Sequence, residues 1–470
     1  MLFNSISFLL FFPIVCLLYF CIPVSRQRAR NLFLLGASYY FYMNWEPVYA
    51  LLLLTCTVLT YWAALGICFS QDRMWKRTCF VLCVIMNLAA LFLFKYYDFF
   101  SVNVVIALQR IGLSLSVPKF TLLLPIGISF YTFQALGYSI DVYRGTQKAE
   151  RDFLTYALFV SFFPQLVAGP IERSSHLLPQ FREHHYFQYE NVMGGFKMML
   201  WGYFMKLVLA DRCGLYVDAV FNNVAMHNGG AYLLASFLFP FQIYGDFAGY
   251  SLIAIGAARV MGFRLMENFH RPYFSCSVGE FWHRWHISLS TWLKDYIYIP
   301  LGGSRVSRLR CCFNLMVTFG ISGLWHGANW TFFFWGILHG AMVSIEKMTG
   351  LGRTAHAGIG RLIRQFATFV LISLAWVMFR ANNLADAMEI YEGLFARQAL
   401  PSITFSMFTE ITLALTMVLL VVWRETMAEF GLRSCHRHPV IESHVQIVAI
   451  IASILLFGVL DGDQFIYFQF

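Results

Sequence analysis

Six long apolar runs dominate the pattern of the sequence, three near each end of the chain. None of them contains a charged residue. An α-helix needs about 20 apolar residues to cross a bilayer, so the runs predict membrane-spanning helices. They cover residues 8–24, 49–70, 80–94, 366–378, 411–423 and 447–459.

The middle of the chain, from residue 162 to 335, has a different pattern. Its apolar stretches are shorter, and Gly, Pro and polar residues interrupt them. Polar groups at membrane depth are tolerated only where protein buries them or where they line a wet cavity. We therefore predict a protein-enclosed functional core at 160–340, walled off by the cleaner helices of both ends. Its polar and charged residues include Gln165, Glu172, Arg173, Asp246, Arg259, Glu280, Arg284, Lys294 and Asp295.

The segment FWHRWHISLSTWLKDY at 281–296 has helical periodicity with two different faces. Trp285, Leu289 and Trp292 recur at i, i+4 and i+7, and both histidines of the segment share another stripe. One interpretation is an interfacial helix with its tryptophans at the lipid headgroups. The other is a re-entrant helix that presents His286 to a central cavity.

A second histidine motif, WHGANW at 325–330, ends the next apolar helix, after a basic, glycine-containing turn at 300–310. A histidine at the end of an apolar helix is costly to bury without a partner. His326 is therefore either a satisfied structural residue or a functional one. Gly323 and Gly327 leave room for a substrate to approach it.

Histidine chemistry suits acyl transfer. An imidazole pKa of about 6.5 lets the ring take a proton from a hydroxyl at neutral pH and return it to a thiolate leaving group. The sequence has no G-x-S-x-G motif and no obvious Ser/His/Asp order. Direct transfer assisted by histidine is therefore favoured over a serine acyl-enzyme.

Composition supports the membrane assignment. The 470 residues are 59% hydrophobic, 18% aromatic and 13% charged, with a mean hydropathy of +0.61. A soluble domain carries about 25% charged residues, so lipid is the expected solvent. We predict an all-α polytopic membrane protein with about ten to twelve transmembrane or re-entrant helices. Without internal repeats or linkers, residues 1–470 are expected to form one domain.

The net charge of +9 is spread over loops, so it indicates membrane topology rather than nucleic-acid binding. Arg26, Arg28 and Arg30 directly follow the first apolar run. The positive-inside rule then places that loop in the cytosol and the N terminus outside. The chain opens without a basic region or a cleavage site of the signal-peptide type, so the first helix is expected to remain.

No metal site is expected. The eleven cysteines are scattered without a C-x-x-C pair and are interpreted as reduced packing residues. The segment CHRH at 435–438 has ligand types, but its side chains are too adjacent to close a tetrahedral site alone.

Several motifs strongly resemble those of the membrane-bound O-acyltransferases. WHGANW at 325–330 is preceded by RWHISLS at 284–290 and PLGG at 300–303. Further segments resemble the bacterial alginate and polysaccharide O-acetyltransferase branch, and together the motifs extend over nearly the whole chain. These segments are residues 1–15, FPQLVAGPI at 163–171, DFAGYS at 246–251 and QFIYFQF at 464–470.

The resemblance implies a ring of transmembrane helices around thinner central helices that form a cytosolic funnel. By analogy His326 is the catalytic histidine at the base of the funnel, and His286 is the second functional histidine. The acyl group would cross a bacterial inner membrane while the donor stays inside. An extracytoplasmic partner of the SGNH-hydrolase type would complete transfer to an exported polysaccharide.

On this hypothesis acetyl-CoA is the donor and no further cofactor is needed. Arg284 and Lys294 would hold its phosphates. Asp246, Asn329 and Trp325 complete the set of substrate- or donor-binding candidates, and Asp246 would orient a histidine.

Two other functions stay open. A D-alanyl transfer subunit for teichoic acids shares both histidine motifs but takes its acyl group from a carrier protein, which predicts a docking surface for that carrier. A transporter would show repeat symmetry and paired half-helices, and the sequence shows no symmetry between its halves.

Overall fold

The computed structural model describes residues 1–113, 116–118, 124–167, 169–353, 358–396, 405–431, 439–459 and 465. Across these residues the secondary structure is helical, without a β-strand, which confirms the all-α prediction. The CHRH segment at 435–438, Ala168 and the terminal motif apart from Phe465 lie outside the described residues.

The chain packs as two compact units. The first comprises Met1–Phe196 and Ala254–Met266, and the second comprises Lys197–Ile253 and Glu267–Phe470. Both motif histidines belong to the second unit. The single domain over 1–470 stays a prediction.

The first unit contains most of the N-terminal apolar helices. Ser5 caps its first helix by accepting a hydrogen bond from the Phe8 N–H, and the Asp72 side chain caps the fourth. Its helices are α1 (Ile6–Cys21), α2 (Gln27–Met43), α3 (Tyr49–Phe69), α4 (Arg73–Leu91), α5 (Tyr97–Arg110), α6 (Ile128–Arg144), α7 (Phe153–Ser161), α8 (Phe163–Leu166) and α9 (Ser174–Leu177).

Of the remaining helices, α10 is divided between the two units, and the others lie wholly or mainly in the second unit. Short π-helical segments at Phe204–Ala210 and Lys294–Tyr298 extend two of them. The helices are α10 (Tyr189–Tyr203), α11 (Asp211–Phe221), α12 (Gly229–Val260), α13 (Val278–Arg284), α14 (Ile287–Leu293), α15 (Arg308–His326), α16 (Trp330–Thr349), α17 (Ile359–Arg380), α18 (Leu384–Phe395), α19 (Phe405–Glu429) and α20 (Pro439–Phe457).

Five helices in the described residues are long and apolar enough to cross a membrane. All six apolar runs of the sequence fall largely on helices, so the structure supports a membrane protein. The count of ten to twelve segments, the ring and the funnel stay predictions. The five helices are Tyr49–Phe69, Arg73–Arg110, Tyr189–Phe221, Ile359–Arg380 and Met407–Glu429.

Two long helices lie in the middle of the chain, although its apolar stretches are shorter and more interrupted than those at the ends. Tyr189–Phe221 forms a helix of 33 residues that includes a π-helical turn, and α12 has 32 residues. Three charged side chains of these helices, Lys206, Asp211 and Asp246, pair with one another in the interior.

Lys206 is the centre of this pairing. Its ammonium nitrogen lies 2.7 Å from a carboxylate oxygen of Asp246 and 2.8 Å from one of Asp211. Helices α10 and α12 approach each other closely at two glycines, since a Cβ at Gly202 would lie 2.6 Å from the Gly249 carbonyl oxygen. This backbone contact brings the lysine on one helix to the aspartate on the other.

Candidate active site

His326 is held by a tight hairpin of two helices. It is the last residue of α15, and α16 returns against that helix. The contact is backbone to backbone, because a Cβ at Gly323 would lie 2.2 Å from the Phe332 carbonyl oxygen. A Cβ at Gly327 would lie 2.2 Å from the Phe332 ring, so both glycines pack against α16, and the expectation that they leave room for a substrate is wrong. The imidazole of His326 is buried, with 2% of the residue exposed.

Asn329 shapes the turn of this hairpin. Its side-chain oxygen caps α16 by accepting a hydrogen bond from the Thr331 N–H at 3.2 Å, and its amide nitrogen donates to the Asn382 carbonyl at 3.0 Å. The structure therefore places Asn329 as a helix cap that positions the residue ending α15.

His286 lies at a break in the chain, where periodicity predicted one continuous helix. The α13 helix ends at Arg284, Trp285 is extended, and α14 starts only at Ile287. His286 itself adopts a left-handed conformation with φ 42°. The two histidines of this segment consequently do not share a face, since His283 is exposed and His286 is fully buried.

This break shows that residues 281–296 do not form the one continuous helix that both interpretations assumed. Trp285 and Trp292 are buried, so they do not form an exposed interfacial face. A non-glycine residue in the left-handed region costs about 1–3 kcal/mol and persists where surrounding contacts impose it. Here those contacts come from Asn268.

Asn268 fixes the ring of His286. The side-chain oxygen of Asn268 lies 3.0 Å from His286 Nδ1 and accepts hydrogen bonds from the Ser288 N–H and hydroxyl. Its amide nitrogen donates to the Ser251 hydroxyl, and its carbonyl accepts from the Ile287 N–H. The buried Asn268 therefore holds both the ring and the start of α14.

The same network sets the tautomer of His286. A backbone N–H can only donate, so the Asn268 oxygen that receives the Ser288 N–H is an acceptor, and His286 Nδ1 must carry the proton. Burial lowers the pKa of His286 to about 3, so the ring is neutral at physiological pH. Its Nε2 atom is thus a hydrogen-bond acceptor.

The structure brings the two motif histidines together. Their ring centroids lie 6.5 Å apart, and the Trp325 ring lies 5.9 Å from His286 and 5.0 Å from His326. Phe247 packs edge-on against His286 at 4.6 Å, and Phe379 lies 5.4 Å from His326. One small reacting group between the rings would reach both histidines in an apolar surrounding, where electrostatic interactions are strong.

Three buried tryptophans and one histidine pack beside His326. We call these residues the indole cluster: Trp285, Trp335, Trp376 and His339. Trp335 lies 5.1 Å from His326, 4.9 Å from His339 and 5.5 Å from Trp376, and Trp376 lies 5.1 Å from Trp285, all between ring centroids. Each member is at most 1% exposed.

The N–H groups of the indole cluster are unusual. In the described part of the chain, Nε1 of its three tryptophans and Nε2 of His339 are buried without a hydrogen-bond partner. Leaving a buried donor unpaired costs about 1–3 kcal/mol. Sequence analysis missed His339, although the motif WGILHG at 335–340 shows a histidine in an apolar helix.

Asp246 and Arg284 occupy charged clusters apart from the histidine pair. Asp246 pairs with Lys206, while the next residue, Phe247, contacts His286. Arg284 pairs with Glu280 at 2.7 Å and with Glu429 at 3.2 Å. The roles predicted for these two residues stay predictions.

Glu429 forms ion pairs with three arginines. We call these arginines the arginine cluster: Arg271, Arg284 and Arg361. The guanidinium nitrogens of Arg271 and Arg361 lie 2.7 Å and 2.8 Å from its carboxylate. The three arginine side chains are partly exposed, and Arg284 also pairs with Glu280. Lys294 is exposed at the start of a π-helical segment.

The model of the membrane-bound O-acyltransferase family matches residues 151–385, which include both motif histidines. A probable alginate O-acetylase of Pseudomonas aeruginosa is 40% identical over 447 residues, covering 93% of this chain and 83% of that protein.

Two further relatives have other printed activities. A peptidoglycan O-acetyltransferase of Helicobacter pylori is 37% identical over 424 residues, covering 84% of this chain and 80% of that protein. A teichoic acid D-alanyltransferase of Streptococcus thermophilus is 30% identical over 293 residues, covering 54% of this chain and 68% of that protein.

Proposed function

Because this chain belongs to the membrane-bound O-acyltransferase family and is thus a membrane O-acyltransferase, we propose that it moves acetyl groups from acetyl-CoA towards hydroxyls of an exported polysaccharide. The observation that carries the proposal is the buried pair of histidines with ring centroids 6.5 Å apart. Relatives named for alginate and peptidoglycan acetylation support a polysaccharide acceptor.

In the proposed reaction His326 is the general base. It takes the proton from the acceptor hydroxyl as the oxygen attacks the thioester carbonyl, so a C–O bond forms and the C–S bond breaks. His326 then returns the proton to the departing sulfur, which leaves as the thiol. His286 is proposed to orient the donor or the acceptor through Nε2, which accepts from an N–H or O–H group other than the hydroxyl whose proton His326 takes.

The donor phosphates are proposed to meet the arginine cluster. Guanidinium groups bind phosphate through paired N–H donors, and Arg284 is joined there by Arg271 and Arg361. Lys294 is proposed as a further phosphate contact because its ammonium group is exposed. Trp325 is proposed as a wall of the reaction site, since its ring contacts both histidines.

The protein is proposed to act in a bacterial inner membrane with its N terminus outside. The arginines at 26–30 support that orientation, and the similar proteins named above are bacterial. An SGNH-hydrolase-type partner outside the cell is proposed to receive the acyl group, and residues 1–470 are proposed to act as one domain. The family resemblance supports these two assignments.

The donor can be tested with the purified protein in vesicles. Labelled acetyl-CoA, acetyl carrier protein and D-alanyl carrier protein are supplied in turn, together with the exported partner protein and a soluble glycan acceptor. We expect transfer from acetyl-CoA at least tenfold faster than from either carrier, because the arginine cluster can hold nucleotide phosphates. Faster transfer from D-alanyl carrier protein would replace this proposal with the teichoic acid alternative.

The role of Asn268 gives a second prediction. Replacing Asn268 with leucine removes the acceptor that holds His286 Nδ1–H, and a lost orienting partner of a functional histidine typically costs about 10- to 100-fold in activity. Asn268→Asp keeps an oxygen acceptor and should retain more activity. Its carboxylate favours the imidazolium form, so the acid limb of the pH–rate profile should move to higher pH.

Initial rates from pH 5 to 9, at equal amounts of folded protein, check this prediction. The Asn268→Asp and Asn268→Leu variants serve as each other's controls. Equal activity losses in both, with an unmoved acid limb, would show that Asn268 supports only the fold.

A further inference from the structure

The indole cluster holds four hydrogen-bond donors that the described protein residues do not use. An indole N–H can only donate. Trp282 donates its own N–H to His339 Nδ1 at 3.2 Å, so Nδ1 is an acceptor and the neutral ring carries its proton on Nε2. All four unused polar atoms of the cluster are therefore donors.

Buried donors of this kind call for acceptor atoms in the working protein. The cluster itself contains no charged side chain, so it suits neutral oxygens better than phosphate or carboxylate. A sugar hydroxyl would leave its own hydrogen without an acceptor in a lining made only of donors. Carbonyl oxygens accept without donating.

We propose that the indole cluster binds the carbonyl oxygens of the acyl-pantetheine arm of the donor. This arm joins amide and thioester carbonyls through methylene groups, and flat indole rings bury such methylenes well. The assignment rests on the proposed acyl-transfer function and adds the site that holds the donor's arm.

The position of Trp335 indicates which carbonyl is nearest the chemistry. Its ring lies 5.1 Å from His326 and 4.9 Å from His339. A thioester carbonyl bound by these two N–H groups would lie beside the general base. Donors placed there also stabilise the negative oxygen that forms when the hydroxyl attacks.

Equilibrium binding to the purified full-length protein tests the site. The ligands are acetyl-CoA, acetyl-pantetheine, which lacks the nucleotide, and adenosine 3′,5′-bisphosphate, which lacks the arm. Trp335→Phe keeps an aromatic ring but removes the donor, and His339→Leu removes the other. Trp423→Phe is the matched control, because Trp423 is 61% exposed on α19.

We expect Trp335→Phe and His339→Leu each to weaken binding of both arm-bearing ligands by about 3- to 10-fold, the size of one hydrogen bond. Bisphosphate binding should change less than twofold, and Trp423→Phe should change nothing. His339→Gln retains an N–H at a similar reach, so this variant should bind the arm-bearing ligands with wild-type affinity. It also provides a test of the site if Trp335→Phe does not fold.

Equal weakening of all three ligands, or no change in the arm-bearing ligands, would overturn the site. The N–H groups would then be satisfied by water or by neighbouring ring faces. If the wild-type protein binds acetyl-pantetheine but not acetyl-CoA, acetyl-CoA is rejected as the donor and the arm site stands. If the wild-type protein binds neither acetyl-CoA nor acetyl-pantetheine, the arm site is overturned.

Discussion

Replacing His326 with alanine is expected to lower the rate of acetyl transfer by about 10²- to 10⁴-fold, the usual contribution of a general base. The variant removes the only ionisable group that the proposed reaction uses to move the hydroxyl proton. The fold should tolerate the change, because the α15–α16 hairpin is held by glycine contacts rather than by the imidazole. Initial rates with labelled acetyl-CoA, normalised to folded protein, measure the effect.

His283→Ala is the matched control for this experiment. His283 is exposed, whereas His286 is buried against Phe247 only three residues later. The control should retain the wild-type rate within about twofold, since exposed substitutions rarely disturb a structure. A His326→Ala protein that transfers acetyl groups at the control rate would make His326 a structural residue.

Replacing Lys206 with methionine is expected to have the largest effect on stability. The lysine is buried between Asp246 and Asp211, and removing it leaves two carboxylates without their cation. Breaking a buried ion pair in this way costs about 3–5 kcal/mol. Because many proteins have only about 5–15 kcal/mol of stability, most of the variant should be lost from the membrane or unfold on mild heating.

Lys197→Met controls for the loss of a lysine, because Lys197 is exposed on α10. It should behave like wild type when the soluble fraction after heating is measured by size exclusion. Combining Lys206→Met with Asp246→Asn and Asp211→Asn should recover much of the lost stability, since no unpaired charge remains. A Lys206→Met protein as heat-resistant as Lys197→Met would show that these contacts contribute little.

The helices at both ends could be predicted from the sequence because lipid imposes a simple rule. A run without charge and with enough residues to cross a bilayer has few alternatives to a helix. The runs at 49–70 and 366–378 accordingly fall on α3 and α17. The two motif histidines could also be chosen, because a histidine in an apolar segment is conspicuous.

The break before α14 could not be predicted from periodicity. The side chains of 281–296 fit one helix, and the reason that His286 leaves it lies in Asn268, 18 residues earlier. A hydrogen bond between distant residues leaves no mark on local spacing. The pairing of Lys206 with Asp246 could not be predicted for the same reason, since it depends on the contact between Gly202 and Gly249.

The arginine cluster shows the same limit. Arg284 could be singled out because it lies in a histidine motif, whereas Arg271 and Arg361 reach Glu429 from a loop and from α17. Their sequence neighbours give no sign of a shared partner. The sequence therefore identified single residues of this cluster but not the ion pairs that join them.

The most direct test of the account is the acetyl content of exported polysaccharide from cells that carry wild-type protein, His326→Ala, His286→Ala or His283→Ala at equal membrane abundance. We predict normal acetylation with wild type and His283→Ala, and loss of acetylation with both other variants. Undiminished acetylation by a fully expressed His326→Ala protein would contradict the proposal that this histidine carries the acyl transfer.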